Sequence, residues 1–178
     1  IFLDDVSLDI EDLNNVKKIV NFILQTSSRE IIVEFKSKIT GNFDLINKFV
    51  EEFNKSTKKS IVFRVETDLN NFNSGILEFL INNKFDVRVI WKEASLSYDT
   101  FEWARQLQRR HNISFYVDVS KEIFGNEHKL VDFFVWNNFK SFFVRKTSGI
   151  EKDEFLNFWK TTVDYFYNIN KKAGKILV

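Results

Sequence analysis

The chain reads as an α/β protein of the parallel kind, a partial TIM-like (β/α) barrel, and three observations predict it. Segments with the two-residue alternation of strands and segments with the 3.6-residue spacing of helices take turns along the 178 residues. The returns between strands hold whole helices where hairpins need only two to five residues, so the strands run parallel with right-handed crossovers. Hydrophobic residues make up 44% of the chain and include 21 Phe, enough for one packed core at this length. An open doubly wound parallel sheet satisfies the same rules and is the alternative architecture.

The elements follow in order. Residues 10–26 read as the first helix: Val16, Ile19, Val20 and Ile23 recur at helical spacing, Lys17 and Lys18 face water, and Glu11 and Asp12 sit where the helix dipole favours acid. Ser27 and Ser28 close it, and residues 31–35 form a β-branched strand, apolar but for Glu34. A second helix begins near Asn42 or Asp44 and runs through Leu45, Ile46, Phe49, Val50 and Phe53 to a polar turn at 54–59. In the strand at 61–67, Ile61, Phe63 and Val65 alternate with Arg64 and Glu66, a more polar face than a doubly covered strand needs. That face fits either a lined barrel interior or an exposed strand end. Helices then fall at 75–83, 98–111, 127–136 and 152–169, and strands at 86–91, 113–119 and 141–145. The count is about five strands and six helices in a single domain, 1–178.

Lys plus Arg number 26 against 25 Asp plus Glu, a formal net charge of +1, so no broad field draws in nucleic acid or an anionic membrane. Without cysteine the segment can hold no disulfide, thiolate-bound metal or iron–sulfur cluster of its own. Methionine is absent too, and the chain opens on Ile1, so it reads as a fragment or a processed product. No signal peptide is legible, because Asp4 and Asp5 follow at once, and the longest apolar runs fall short of the ~20 residues that span a bilayer. A cytoplasmic setting is expected.

In a parallel sheet with helical crossovers, ligands gather beyond the carboxyl ends of the strands, here residues 36–41, 67–71, 92–97, 119–122 and 146–149. Lys36, Lys38, Lys92, Lys121, Arg145 and Lys146 fall on this rim and would converge on an acidic peptide or a phosphate. The plain alternative is a solvated rim, since long cationic side chains spread into water at little cost. Glu66, Asp68, Glu93 and Asp118 could bind magnesium or divide acid and base roles, against the commoner fate of salt-bridged surface carboxylates. His111 and His128 share no metal-ligand spacing, and a helix end and a solvated helix face account for them. The five glycines at 41, 75, 125, 149 and 174 stand alone, so no phosphate loop or nucleophile elbow is present. Phe133, Phe134, Trp136, Phe139, Phe142 and Phe143 form a dense tract, and the last helix carries large apolar side chains on more than one face. That surplus implies a further surface against the last helix, from a missing part of the chain or a partner.

The order and spacing of these pieces resemble the central part of radical SAM enzymes, especially the peptide- and protein-modifying maturases with SPASM-type domains. The strand at 31–35 leading into Asn42-Phe43-Asp44-Leu45-Ile46 is similar to the family's strand, GGEP motif and following helix. Residues 61–69 and then Ile76-Leu77-Glu78-Phe79-Leu80 resemble the "TNG" strand end and its helix, and Phe155-Leu156-Asn157-Phe158-Trp159 resembles the helix that closes the barrel. The resemblance implies S-adenosylmethionine chemistry on a [4Fe–4S] cluster held by three cysteines on a loop between the first strand and the first helix.

Departures from the family pattern sit at several separate rim positions. There is no cysteine; Lys36-Ser37-Lys38-Ile39-Thr40-Gly41 stands in place of GGEP, Thr67-Asp68-Leu69 in place of "TNG", and Trp91-Lys92-Glu93 where the family has an "LDG"-like end. These departures make the leading expectation a non-catalytic radical-SAM-like domain that binds a peptide or protein partner, with no cofactor of its own and possible homo- or hetero-oligomers. The alternative is a fragment of an active peptide-modifying enzyme whose cysteines lie outside the segment, with Thr67, Asp68 and Lys92 contacting S-adenosylmethionine. Because only Ile1-Phe2-Leu3 precede the acidic pair, the first strand is expected to be missing and the edge of the strand at 31–35 unpaired.

Overall fold

The computed structural model describes residues 3–8, 15–25, 30–35, 39–56, 60–91, 98–111, 113–121, 123–139 and 142–173. Six strands alternate with six helices: β1 (Leu3–Leu8), α1 (Val16–Leu24), β2 (Glu30–Phe35), α2 (Ile39–Ser56), β3 (Ser60–Thr67), α3 (Ser74–Asn82), β4 (Asp86–Trp91), α4 (Tyr98–Arg110), β5 (Ile113–Val119), α5 (Glu127–Trp136), β6 (Phe142–Lys146) and α6 (Lys152–Ala173). All belong to one sheet in the order β1-β2-β3-β4-β5-β6, and every described pairing is parallel. A doubly wound sheet reverses its strand order at a switch point. This order never reverses, so the topology is that of a partial (β/α) barrel.

One expectation is corrected. The edge of β2 is not bare: β1 pairs with it in parallel along its whole length, from Leu3 opposite Glu30 to Leu8 opposite Phe35. Asp4 and Asp5, which argued against a strand, lie inside it. An edge strand needs only one neighbour, and charged residues are a common feature of such edges. The first helix also starts later than its periodicity implied, at Val16 with Asn15 as N-cap. Within α2, Asn42 leaves helical geometry (φ −136°, ψ 18°), near the start expected from the pattern.

The chain divides into two compact units, Ile1–Val89 with Ser97–Ile113, and Ile90–Leu96 with Ser114–Val178. In the first, Phe35, Phe49, Phe53, Phe63, Phe79 and Phe85 are all buried. Phe35 meets Phe49 edge-on at 5.5 Å and stacks near Phe63 and Phe85 at 6.3 and 6.1 Å, so α2 is seated on β2 and β3 through aromatic contacts. The second unit repeats the device with Trp91, Phe115, Phe134 and Phe139; Phe115 lies 4.5 Å from Phe139 and 5.3 Å from Phe134. The dense aromatic tract is thus divided: Phe134 and Phe139 are core, while Trp136 and Phe143 are exposed.

Two helices stop by the same mechanism. After α3, Lys84 takes a left-handed conformation (φ 53°); its N–H donates to the Ile81 carbonyl and that of Phe85 to Leu80. After α5, Asn138 (φ 56°) repeats the pattern, with its N–H donating to Val135 and that of Phe139 to Phe134. Both are Schellman ends, closed by an apolar residue returning to the core. Neither uses the glycine that usually fills the left-handed position.

Candidate functional site

In the first unit the side chains of β2, β3 and β4 alternate between two faces of the sheet. Val33, Phe35, Phe63, Val65, Val87 and Val89 are buried, on the face that receives the helices. The intervening positions carry charge and are half-buried. Glu34 lies opposite Arg64 in the β2–β3 register and Arg64 opposite Asp86 in the β3–β4 register, with Glu66 opposite Arg88 one step along. Arg64 Nε donates to Asp86 Oδ2 at 2.7 Å, its Nη1 lies 3.5 Å from Glu34 Oε2, and Arg88 Nε is 3.9 Å from Asp86. Arg64 is only 14% exposed, so the ladder is partly desolvated and its charges are mutually compensated. The polar face noticed in the sequence at Arg64 and Glu66 is therefore a lined sheet face. Its extension to Glu34 and Asp86 was not legible, because register is not.

At the carboxyl end of β3 the backbone folds back on itself. Thr67 is 4% exposed, and its Oγ1 accepts from the Leu69 N–H at 3.0 Å. Asp68 is half-buried and accepts from the Asn70 N–H at 3.2 Å. Leu69 (φ 57°) and Asn71 (φ 56°) are both left-handed, and Leu69 is buried. Left-handed non-glycine residues collect at functional loops. Asn73 then caps α3 by accepting from the Ile76 N–H at 3.0 Å, which fixes where the loop ends.

The second unit carries its own charged group on β5 and β6. Arg145 donates from Nε and Nη2 to the two oxygens of Asp118, at 2.7 and 3.2 Å, a bidentate pair across the β5–β6 register. The same guanidinium lies 5.7 Å from the Tyr116 ring, which stacks on Phe143 at 5.2 Å. Thr147 donates to the Val119 carbonyl at 2.5 Å, tying the two strand ends together. Beyond them Lys121 and Lys146 are exposed, and Gly149 holds φ 89°, a conformation that side chains rarely adopt.

Of the rim residues expected from sequence, Lys36, Lys38 and Lys92 lie outside the described residues, as does Glu93. Lys121 and Lys146 are solvent-facing, and Arg145 is held by Asp118. His111 contacts the Phe85 carbonyl through Nε2, and His128 stacks on Tyr165 at 4.0 Å. Tyr165 donates to Asp132 at 2.9 Å, and that hydrogen bond raises its hydroxyl above the ordinary tyrosine range. Among the described residues no three His, Cys, Asp or Glu side chains are grouped to hold a metal ion. Nor, among them, is any helix long and apolar enough to cross a membrane.

No family model matches the sequence, and no curated protein matches it. Solved structures do. The chain is similar to native anSMEcpe with bound AdoMet, and to the same protein with AdoMet and the Kp18Cys peptide. Each match has a TM-score of 0.75 at 13% identity, covering 91% of this chain and 53% of the matched one. The chain shares the fold of these structures over this region and spans about half their length.

Proposed function

We propose that this chain is a peptide-binding, protein-interaction domain of radical-SAM-like fold that does not carry the radical reaction. One observation supports it above the others. In the family that the sequence resembles, the cluster cysteines sit between the first strand and the first helix. Here β1 ends at Leu8 and α1 begins at Val16, and the connection reads Asp9, Ile10, Glu11, Asp12, Leu13, Asn14 and Asn15. It offers carboxylates and amides where an iron–sulfur cluster requires thiolates. The donor set does not fit the cluster.

The same reading extends to the rest of the rim. The Thr67 hydroxyl is engaged by the Leu69 N–H and the Asp68 carboxylate by Asn70, so both serve the loop's own geometry. An acidic peptide would meet Lys121 and Lys146, exposed at the ends of β5 and β6. Arg145, neutralised by Asp118, would shape this rim and present Tyr116. The fold's likeness to a protein solved with a peptide supports the choice of ligand class.

Anaerobic incubation of the chain with iron and sulfide tests the first half: the expected product is iron-free protein that leaves S-adenosylmethionine intact. A four-iron cluster with cleavage of the cofactor would make the chain an enzyme. Calorimetric titration with an acidic peptide tests the second half. Binding should weaken as salt rises and in the Lys121→Glu, Lys146→Glu double variant; salt-independent binding, or none, would refute the basic-rim reading.

A further inference from the structure

Helix α6 carries two apolar faces. One is packed: Phe158 and Thr162 are buried, and Tyr165 reaches Asp132 on α5. The other is open: Leu156, Trp159, Val163 and Tyr167 are 47%, 43%, 42% and 64% exposed. Their spacings of three, four and four residues confine them to a stripe about 80° wide on a helix of 3.6 residues per turn. An apolar seam repeating near 3.5 residues along an exposed helix is the pattern that packs against another helix.

Beside the stripe, on one flank only, stand four exposed charges: Asp153, Lys160, Asp164 and Lys171. None of them forms an ion pair among the described residues. Their order is minus, plus, minus, plus, and it is symmetric in position but opposite in sign about Thr162. In an antiparallel helix pair, residues on the same flank face one another. A two-fold axis at the level of Thr162 therefore sets Asp153 against the second copy's Lys171 and Lys160 against the second copy's Asp164. All four charges on this flank of each helix find an opposite partner, and the stripes, centred within a residue of the same level, close on each other. Parallel two-fold pairing would set this flank against the other flank of the second copy, which carries none of these charges.

We infer that the open face of α6 is the seat of a two-fold antiparallel contact with a second copy of this chain. The charge pattern is self-complementary, which a surface shaped for an unrelated partner has no reason to be. The inference stands on α6 alone and is independent of the peptide-binding reading.

Sedimentation equilibrium of the chain tests it, with the apparent mass expected to rise with concentration from 21.2 kDa toward twice that value. Lys160→Asp or Asp164→Lys alone should each weaken association roughly tenfold, since every reversal counts twice across the axis, and the two together should restore it. The chain has no cysteine, so single cysteines report the geometry. In Val163→Cys the two copies sit about 3 Å apart along the axis and should form a disulfide; in Leu156→Cys they sit about 18 Å apart and should not. All four substituted positions are exposed, and circular dichroism reads the fold of each variant. A monomer at every concentration, cross-linking of Leu156→Cys as readily as Val163→Cys, or no rescue in the double reversal would each overturn the inference.

Discussion

Replacing Lys84 by glycine should stabilise the chain, and the amount follows from the end of α3. Lys84 sits at φ 53° with an exposed side chain, so its left-handed backbone is not offset by burial. Holding a non-glycine residue there costs ~1–2 kcal/mol. Glycine removes that cost and returns ~0.5–1 kcal/mol through the greater freedom of the unfolded chain. The net gain is about 0.5–1 kcal/mol, which for a chain of this size raises the melting temperature by roughly 1–4 °C. Lys84 also places a cation near the helix carboxyl end, and Lys84→Ala removes that contribution while keeping the left-handed cost. The informative quantity is therefore the glycine variant against the alanine variant, in urea midpoint at unchanged slope. The sister position Asn138 supplies an internal scale: asparagine tolerates this conformation, so Asn138→Gly should gain only a fraction as much. If glycine at 84 is no more stable than alanine, the Schellman end does not hold Lys84 in a strained state and the reasoning fails.

Arg145→Ala should cost about 1–3 kcal/mol, because it leaves the partly buried Asp118 carboxylate without its bidentate partner. Adding Asp118→Asn should recover part of that loss, and urea unfolding of the two single variants and the double variant would expose additivity as the contrary result. On α3, hydrogen bonding to Arg110 holds the Glu78 carboxyl below its ordinary range. A carboxyl lowered in the folded state stabilises above its unfolded value of about 4.3 and loses that contribution as pH falls through the lower folded value. The melting-temperature gap between the wild type and Glu78→Gln should thus exist at pH 7 and close once the pH has fallen below the carboxyl's lowered folded-state value. A gap that persists or widens in acid would contradict the pairing.

The alternation of strand and helix was legible because each element buries one face and leaves the period in the sequence. Ile31 and Val33 announce β2, and Ile76, Leu77, Phe79 and Leu80 announce α3, with boundaries close to those observed. Strand β1 was not legible: Asp4 and Asp5 break its apolar run, and only its pairing with β2 makes it a strand. Site residues on single strands, such as Arg64 and Glu66, could be picked out by their polarity. The partners that complete them, Glu34 and Asp86, depend on register, which is a property of two strands at once. Arg145 read as a free cation for the same reason, since Asp118 is 27 residues away and meets it only across the sheet.

The charged ladder on β2, β3 and β4 also settles a question that hydrophobic patterning leaves open. Sliding one strand past another by a single residue turns its apolar side chains to the wrong face, so burial forbids it. Sliding by two restores the alternation and costs burial much less. The ladder penalises that error. Moved two residues one way, β4 would set Arg88 against Arg64; moved the other way, Asp86 against Glu66. Between β2 and β3, one of the two slips sets Glu34 against Glu66. Like charges meeting on a half-buried face raise the energy of these mispaired sheets relative to the native one. The pairs thus work chiefly against states that are never populated, and a sheet with all five residues made neutral could keep its stability while losing the uniqueness of its alignment.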